Sequence, residues 1–185
     1  MSADKPRDRG EGWKSVPEPD WQPLQTAESE GGRSFVSGEP EGDRLRVRYF
    51  KRPADGALVG FAWFGPGAQG PPGFAHGGSV AALIDEATGG AAWLAGHAVL
   101  AASLRVDFRS RLPLDTEVFF EAQVTEVDGR KVWARAHVFS PGQRLYAEGE
   151  NLLVCVDPGE LGSEYEQVAE RLWRPIPPTS HDAER

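Results

Sequence analysis

One run of this chain, Gly70 to Trp93 (GPPGFAHGGSVAALIDEATGGAAW), limits what the remainder can fold into. Pro71, Pro72 and Gly73 punctuate its entry, so whatever precedes must end there and a new element begin. From Ser79 the residues are Val, Ala, Ala, Leu and Ile, good helix formers without β-alternation, which predicts a long helix. At about 100° per residue, Val80, Leu83, Ile84, Ala87, Ala91 and Leu94 share the side that buries against a sheet. Gly78, Ala82, Asp85, Gly89 and Ala92 share the other. A solvated face carries Lys, Glu and Arg. This one is small residues around a single carboxylate, so both sides are expected to be covered.

The segments around the helix read as strands. Arg44–Lys51 alternates apolar and basic residues, and Leu58–Phe64 is a compact apolar run beyond the turn signal Asp55-Gly56. After the helix come Val99–Arg109, Glu117–Val127, Arg130–Phe139 and Arg144–Val156, with turn signals at Asp128-Gly129 and Pro141-Gly142. Val118, Phe120, Ala122 and Val124, with Val132, Ala134, Ala136 and Val138, mark a buried face of period two. The expected architecture is α+β: one long helix wrapped by an antiparallel sheet of about five to six strands, the last four in a meander. Residues 1–42, rich in Pro, Gly and acids, read as a partly disordered N-terminal extension, 43–157 as the domain, and 158–185 as a tail with a short helix over Glu164–Trp173.

An acid on a covered helix face is costly unless it is partnered or used. Asp85 is centred on the small-residue face, whereas Glu86 lies about 100° round, toward the centre of neither stripe, and reads as a partly exposed acid. The bland reading of Asp85 is a buried partner for Arg105 or Arg109. Gly77 and Gly78 present bare backbone N–H groups at the positive end of the helix dipole, an oxyanion-type donor. His76 beside them is either a site residue or a hydrogen-bonded fixture of the loop–helix junction.

Two motif matches fail on context. Gly65-Pro-Gly67-Ala-Gln-Gly70 has the GxGxxG form, but Pro71 and Pro72 fall where the helix would open and no βαβ unit surrounds it. Gly77-Gly78-Ser79-Val80-Ala81 approaches a nucleophile elbow without its last glycine or a larger sheet, so Ser79 reads as a capping residue. His97, after Gly96 at the helix end, suits the dipole.

The pattern GPPG-x-x-HGG-x(6)-Asp-Glu, carried by Gly70–Gly73, His76-Gly77-Gly78 and Asp85-Glu86, resembles the hotdog-fold acyl-CoA thioesterases, and among them the phenylacetate-pathway type. The likeness runs from about Asp43 to Asp157. It implies thioester hydrolysis, with Asp85 as general base or nucleophile and the Gly77 N–H as oxyanion donor beside His76. On one straight helix those groups are about 12–13 Å apart by rise alone, too far to share a carbonyl carbon. The resemblance resolves this by pairing two subunits, so that Asp85 of one faces His76 and Gly77 of the other. It thus implies a homodimer or a dimer of dimers, an acyl-CoA or acyl-carrier thioester as substrate, and no cofactor beyond the coenzyme A of that substrate.

Further site candidates are Gly78 as a substrate-binding residue, Phe74, Leu83 and Trp93 as part of the acyl pocket lining, and Arg109 and Arg111 as phosphate contacts for coenzyme A. Many such relatives carry a hydroxyl early in the strand after the helix. Here that strand opens Val99-Leu100-Ala101-Ala102-Ser103, so Ser103 substitutes or the contact is absent. Two alternatives stay open: a non-catalytic acyl-CoA-binding or pathway-accessory protein, and a hotdog enoyl-CoA hydratase, which wants Asp and His close together in one subunit.

Composition enters as exclusion. A net charge of −8 argues against general nucleic-acid binding. The single cysteine, Cys155, excludes an intramolecular disulfide framework, and with four histidines it offers little for a metal site. No apolar run approaches the roughly 18 residues of a membrane span, and the first residues lack a secretory apolar core, so the expected compartment is the cytoplasm. Low Lys and Met beside high Arg, Ala and Gly suggest a GC-rich bacterial genome.

Overall fold

The computed structural model describes residues 14–26, 35–36, 41–163 and 172–176. Its elements are β1 (Gln22–Pro23), β2 (Leu45–Lys51), β3 (Leu58–Phe64), α1 (Gly77–Leu94), β4 (Val99–Phe108), β5 (Thr116–Asp128), β6 (Lys131–Phe139) and β7 (Leu145–Cys155), with short 3-10 turns at Pro66–Ala68 and Pro158–Leu161. The strands form one seven-stranded antiparallel sheet in the order β1-β2-β3-β5-β6-β7-β4. The six strands expected from alternation are all present. The seventh, two-residue β1, comes from the N-terminal extension and pairs with β2 at Gln22–Lys51. The helix expected over Glu164–Trp173 falls outside the described residues except for Leu172 and Trp173, which form a turn.

One expectation is corrected. The last four strands are not a meander: β4 leaves α1 and pairs with β7 at the edge, while β5 returns to the middle beside β3. The crossing is made by 109–115, which lies along the loop before the helix; Ala75 N–H donates to Leu112 O (2.9 Å) and Leu114 N–H to Gly73 O (3.0 Å). A tight β4–β5 hairpin would need a Gly- or Asn-type turn. Ser110-Arg111-Leu112-Pro113 has none, unlike the Asp128-Gly129 turn of β5–β6, where Gly129 takes φ 56°.

The concave face of the sheet wraps α1. Leu83, Ile84, Ala87 and Ala91 are buried against Phe120, Val138 and Ala147. The helix sits close because Gly149 lies under Ile84: a Cβ there would stand 2.5 Å from Ile84 Cγ2. The convex face carries a second apolar group, Phe50, Val59, Phe61 and Phe119, covered by Trp21. That N-terminal segment is tied down by the buried Glu117, whose carboxylate accepts from the Lys14 and Ser15 N–H groups (2.6 and 2.9 Å). The fold is the hotdog: one long helix held in a single antiparallel sheet.

Candidate active site

The start of α1 is built almost wholly from backbone. His76 is its N-cap in extended conformation (φ −67°, ψ 137°), with its N–H donated to Ala68 O at 2.8 Å. Its Nδ1 accepts the Gly78 N–H at 2.9 Å, so the neutral ring keeps its proton on Nε2. Ser79 Oγ donates to His76 O at 2.7 Å, the capping role expected of it. The Gly77 N–H has no acceptor among the described residues, and Gly77 carries no side chain to block approach. Beside this end lies a cavity of about 500 Å³ reached by Gln69, His76, Gly78, Ser79 and Ala82. Phe108 on β4 is exposed next to it; a Cβ on Gly77 would come within 3.2 Å of its ring.

Asp85, eight residues along the helix from Gly77, faces a different cavity of about 290 Å³, shared with Gly89, Trp93, Ala101 and Leu153. The carboxylate is half-buried and is held by the fully buried Asn151 of β7, whose Nδ2 donates to Asp85 Oδ1 at 2.9 Å. A carboxylate only accepts, so the amide nitrogen must be the group turned to it. The same Nδ2 reaches Thr88 Oγ1 at 3.0 Å, and the Thr88 hydroxyl donates to the Ile84 carbonyl at 2.8 Å. Asn151 Oδ1 is buried with no donor among the described residues. An unmet buried acceptor costs about 1–3 kcal/mol, while the amide nitrogen of the same side chain serves both Asp85 and Thr88.

The partner foreseen for a structural Asp85 is therefore not found. Arg105 pairs with Asp107 at 3.1 Å, and Arg109 Nε donates to Glu148 Oε1 at 2.8 Å. Neither pairs with Asp85. The Arg109 guanidinium is held further toward its charged form by that hydrogen bond. Arg111 is exposed with its guanidinium 5.1 Å above the Phe74 ring and has no carboxylate partner among the described residues. Of the two arginines, Arg111 is the one available to an anion. Phe74 thus sits under Arg111 in the 73–75 loop and lines neither of these cavities. Leu83 is fully buried in the core, while Trp93 does line the Asp85 cavity. Ser103 is exposed on β4 beyond a bulge between Ala101 and Ser103, so Ala101 and not Ser103 lines that cavity.

Sequence reasoning passed over Asn151 and Thr88. A polar residue at an inward position of a strand, between inward Gly149 and Leu153, was the available signal for Asn151. Thr88, one turn past Asp85, was readable only as a helix interior residue. The small-residue face is only partly covered within one chain: Gly78 is exposed and Ala82, Asp85 and Gly89 are half-exposed, while Ala92 is fully buried. Among the described residues, no group of three His, Cys, Asp or Glu side chains could hold a metal ion. No helix among them is long and apolar enough to cross a membrane.

This geometry belongs to a recognisable group of proteins. A family model described as the thioesterase superfamily matches residues 72–147, which include His76, Gly77 and Asp85. The chain belongs to the thioesterase superfamily. It is 32% identical over 142 residues to the acyl-coenzyme A thioesterase THEM4 of Xenopus laevis, covering 67% of this chain and 64% of that protein. It is 34% identical over 117 residues to the acyl-coenzyme A thioesterase THEM5 of Homo sapiens, covering 62% of this chain and 47% of that protein. The chain therefore spans about half to two thirds of the length of the curated relatives it matches. A crystal structure of another thioesterase superfamily protein, 29% identical, superimposes with a TM-score of 0.55 over 59% of this chain and 53% of its own. The superfamily match ends before Asn151 and before the C-terminal residues of the Asp85 cavity.

Proposed function

We propose that this thioesterase superfamily chain hydrolyses an acyl-CoA thioester, with an acyl-carrier thioester as the related option. The observation that carries the reading is the carboxylate of Asp85, fixed by a buried amide and opening into a cavity walled in part by Trp93, Val99, Ala101 and Leu153. The names of the curated relatives, acyl-coenzyme A thioesterases, support coenzyme A as the thiol.

Thioester hydrolysis needs a nucleophile at the carbonyl carbon and a donor for the charge that gathers on oxygen. Asn151 holds one oxygen of Asp85 and leaves the other free. That oxygen takes a proton from water as the water attacks, or attacks the carbonyl itself and forms a mixed anhydride that water then hydrolyses. Label from heavy-oxygen water enters Asp85 only by the second route, when water attacks the Asp85 carbon of the anhydride. The Gly77 N–H receives the developing oxyanion, and collapse expels the thiolate. Arg111 meets a phosphate of coenzyme A. Gly78 and His76 shape the donor end: the ring occupies the Gly78 N–H and leaves that of Gly77 for substrate.

Within one chain, Gly77 does not line the Asp85 cavity, and the two residues stand about 12 Å apart by helix rise. The reading therefore requires two copies, Asp85 of one meeting Gly77 of the other. Edge strand β4 supports such pairing: it is ten residues long, with Leu100 and Phe108 exposed, whereas the opposite edge is the two-residue β1. Residues 43–157 would be the catalytic domain, flanked by 1–42 and 158–185.

A second reading, acyl-CoA binding without turnover, is favoured by one observation: Ala101 brings no hydroxyl to the Asp85 cavity. The hydratase alternative lacks support, since His76 and Asp85 do not share a cavity. The test is free-thiol release from short, medium, long and aromatic acyl-CoAs, with Asp85→Asn alongside. Turnover that falls about 10²- to 10⁴-fold in Asp85→Asn, while the protein remains a folded dimer, is the expected result. Unchanged turnover in that variant removes Asp85 from the chemistry. A folded dimer that releases no thiol from any substrate leaves the binding role.

A further inference from the structure

The cavity that holds Asp85 is closed by residues far outside the superfamily match. Leu172 and Trp173, from the C-terminal segment, line it opposite Val99 and Ala101 of β4. The Trp173 ring lies directly on α1 at Gly90, where a Cβ would stand 2.6 Å from a ring carbon. Gly90 is five residues beyond Asp85, so the ring meets the helix about 7–8 Å further along its axis.

The wall is held in place. Trp173 is 9% exposed and meets Tyr49 edge-on at 5.0 Å. The Trp173 backbone N–H donates to Gln25 O (2.9 Å), Gln25 N–H to Arg174 O (2.8 Å) and Ile176 N–H to Pro23 O (2.8 Å), while Leu24 N–H donates to Tyr49 O (3.0 Å). The N-terminal segment is thus stitched between β2 and the C-terminal segment. Trp173 also adopts φ 59°, a left-handed conformation that a bulky residue holds only when its surroundings over-determine it. The cavity is a half-open cleft of about 290 Å³, just below the roughly 300–1,000 Å³ usual for ligand pockets. Trp93 and Leu153 supply the remaining apolar walls.

We propose that Trp173 is a specificity-determining residue, the end wall of the acyl pocket, and that it restricts the acyl group to compact chains no larger than about a single ring. This rests on the thioesterase reading, since the acyl group must reach Asp85 to be cleaved.

The experiment compares kcat/KM for butyryl-, phenylacetyl- and palmitoyl-CoA in the wild type, Trp173→Ala and Trp173→Leu, with thermal unfolding as a folding control. The wild type should prefer butyryl- or phenylacetyl-CoA. Removing the indole should raise the palmitoyl-to-butyryl ratio by about tenfold or more, the scale that hydrophobic pocket changes reach. Trp173→Leu keeps an apolar plug of smaller size, so it gives a smaller shift in the same direction and stands in should Trp173→Ala not fold. A wild type that prefers palmitoyl-CoA, or a ratio unchanged in a folded variant, overturns the proposal. Absence of turnover on all three substrates is instead a failure of the thioesterase reading. The same ratio is then read from equilibrium binding of the three acyl-CoAs, where an unchanged ratio again overturns the wall.

Discussion

The two ends of the candidate site are made differently. At the start of α1 the useful group is a backbone N–H, and the His76 side chain beside it serves the backbone by accepting the Gly78 N–H. Near mid-helix the useful group is a side chain, Asp85, and it depends on Asn151, sixty-six residues away on β7. Donors at a helix start exist wherever a helix starts, because those N–H groups have no intrahelical acceptor. A carboxylate held at one angle exists only where tertiary structure supplies a fixed donor. The first end should therefore tolerate side-chain changes that the second does not.

The sharpest break of that contrast is Gly77→Pro. Proline is accepted at the first helical position and lacks the N–H, and His76 already has the extended backbone that precedes proline. The variant should keep its helix by circular dichroism and lose about 10²- to 10³-fold in kcat; intact turnover would remove this donor from the mechanism. Asn151→Ala comes next. It frees Asp85 Oδ1 and Thr88, and should lower kcat about tenfold with little change in KM, alongside a stability loss of about 1–3 kcal/mol in urea titration. A stability loss without any fall in kcat would make Asn151 a core residue only.

His76→Ala should act mainly on the helix, with about 1 kcal/mol lost from the missing cap and a lower Tm. If kcat instead falls as steeply as in Gly77→Pro, the ring takes part directly and the two ends are alike. The smallest effect lies in the β2–β3 turn, away from both. Hydrogen bonding to Arg52 lowers the Asp55 carboxyl to about 2. A depressed folded-state value means stability that is present above the unfolded value near 4 and lost as the pH falls from there through about 2. The pair is substantially solvent-exposed, so Asp55→Asn should cost less than about 1 kcal/mol at neutral pH, and the cost should vanish in acid titration near pH 2.

These differences follow where the information lay. Period-two alternation, and for β3 a compact apolar run buried on both faces, located the six main strands to within a residue or so, because local pattern records burial. The buried stripe Val80, Leu83, Ile84, Ala87 and Ala91 was equally legible, since burial on a helix repeats every turn. The sequence of small residues and glycines also marked Gly77 and Asp85 as the parts with chemical potential, and their separation along one helix followed from rise alone.

Strand order was not in any local pattern. That β4 pairs with β7 and not β5 depends on a crossing loop docking on 73–75, a contact between residues about forty apart. The support of Asp85 by Asn151 and the closing of its cavity by Trp173 are likewise long-range, joining β7 and the C-terminal segment to one face of α1. By itself the sequence determined which segments are strands, which is the helix and which face of it carries an acid, because those are short-range consequences of residue size and polarity. Which distant side chain holds that acid, which indole bounds its cavity and which arginine stays unpaired were decided only when the chain folded back on itself, because hydrogen bonding and packing act between neighbours in space, whatever their distance in sequence.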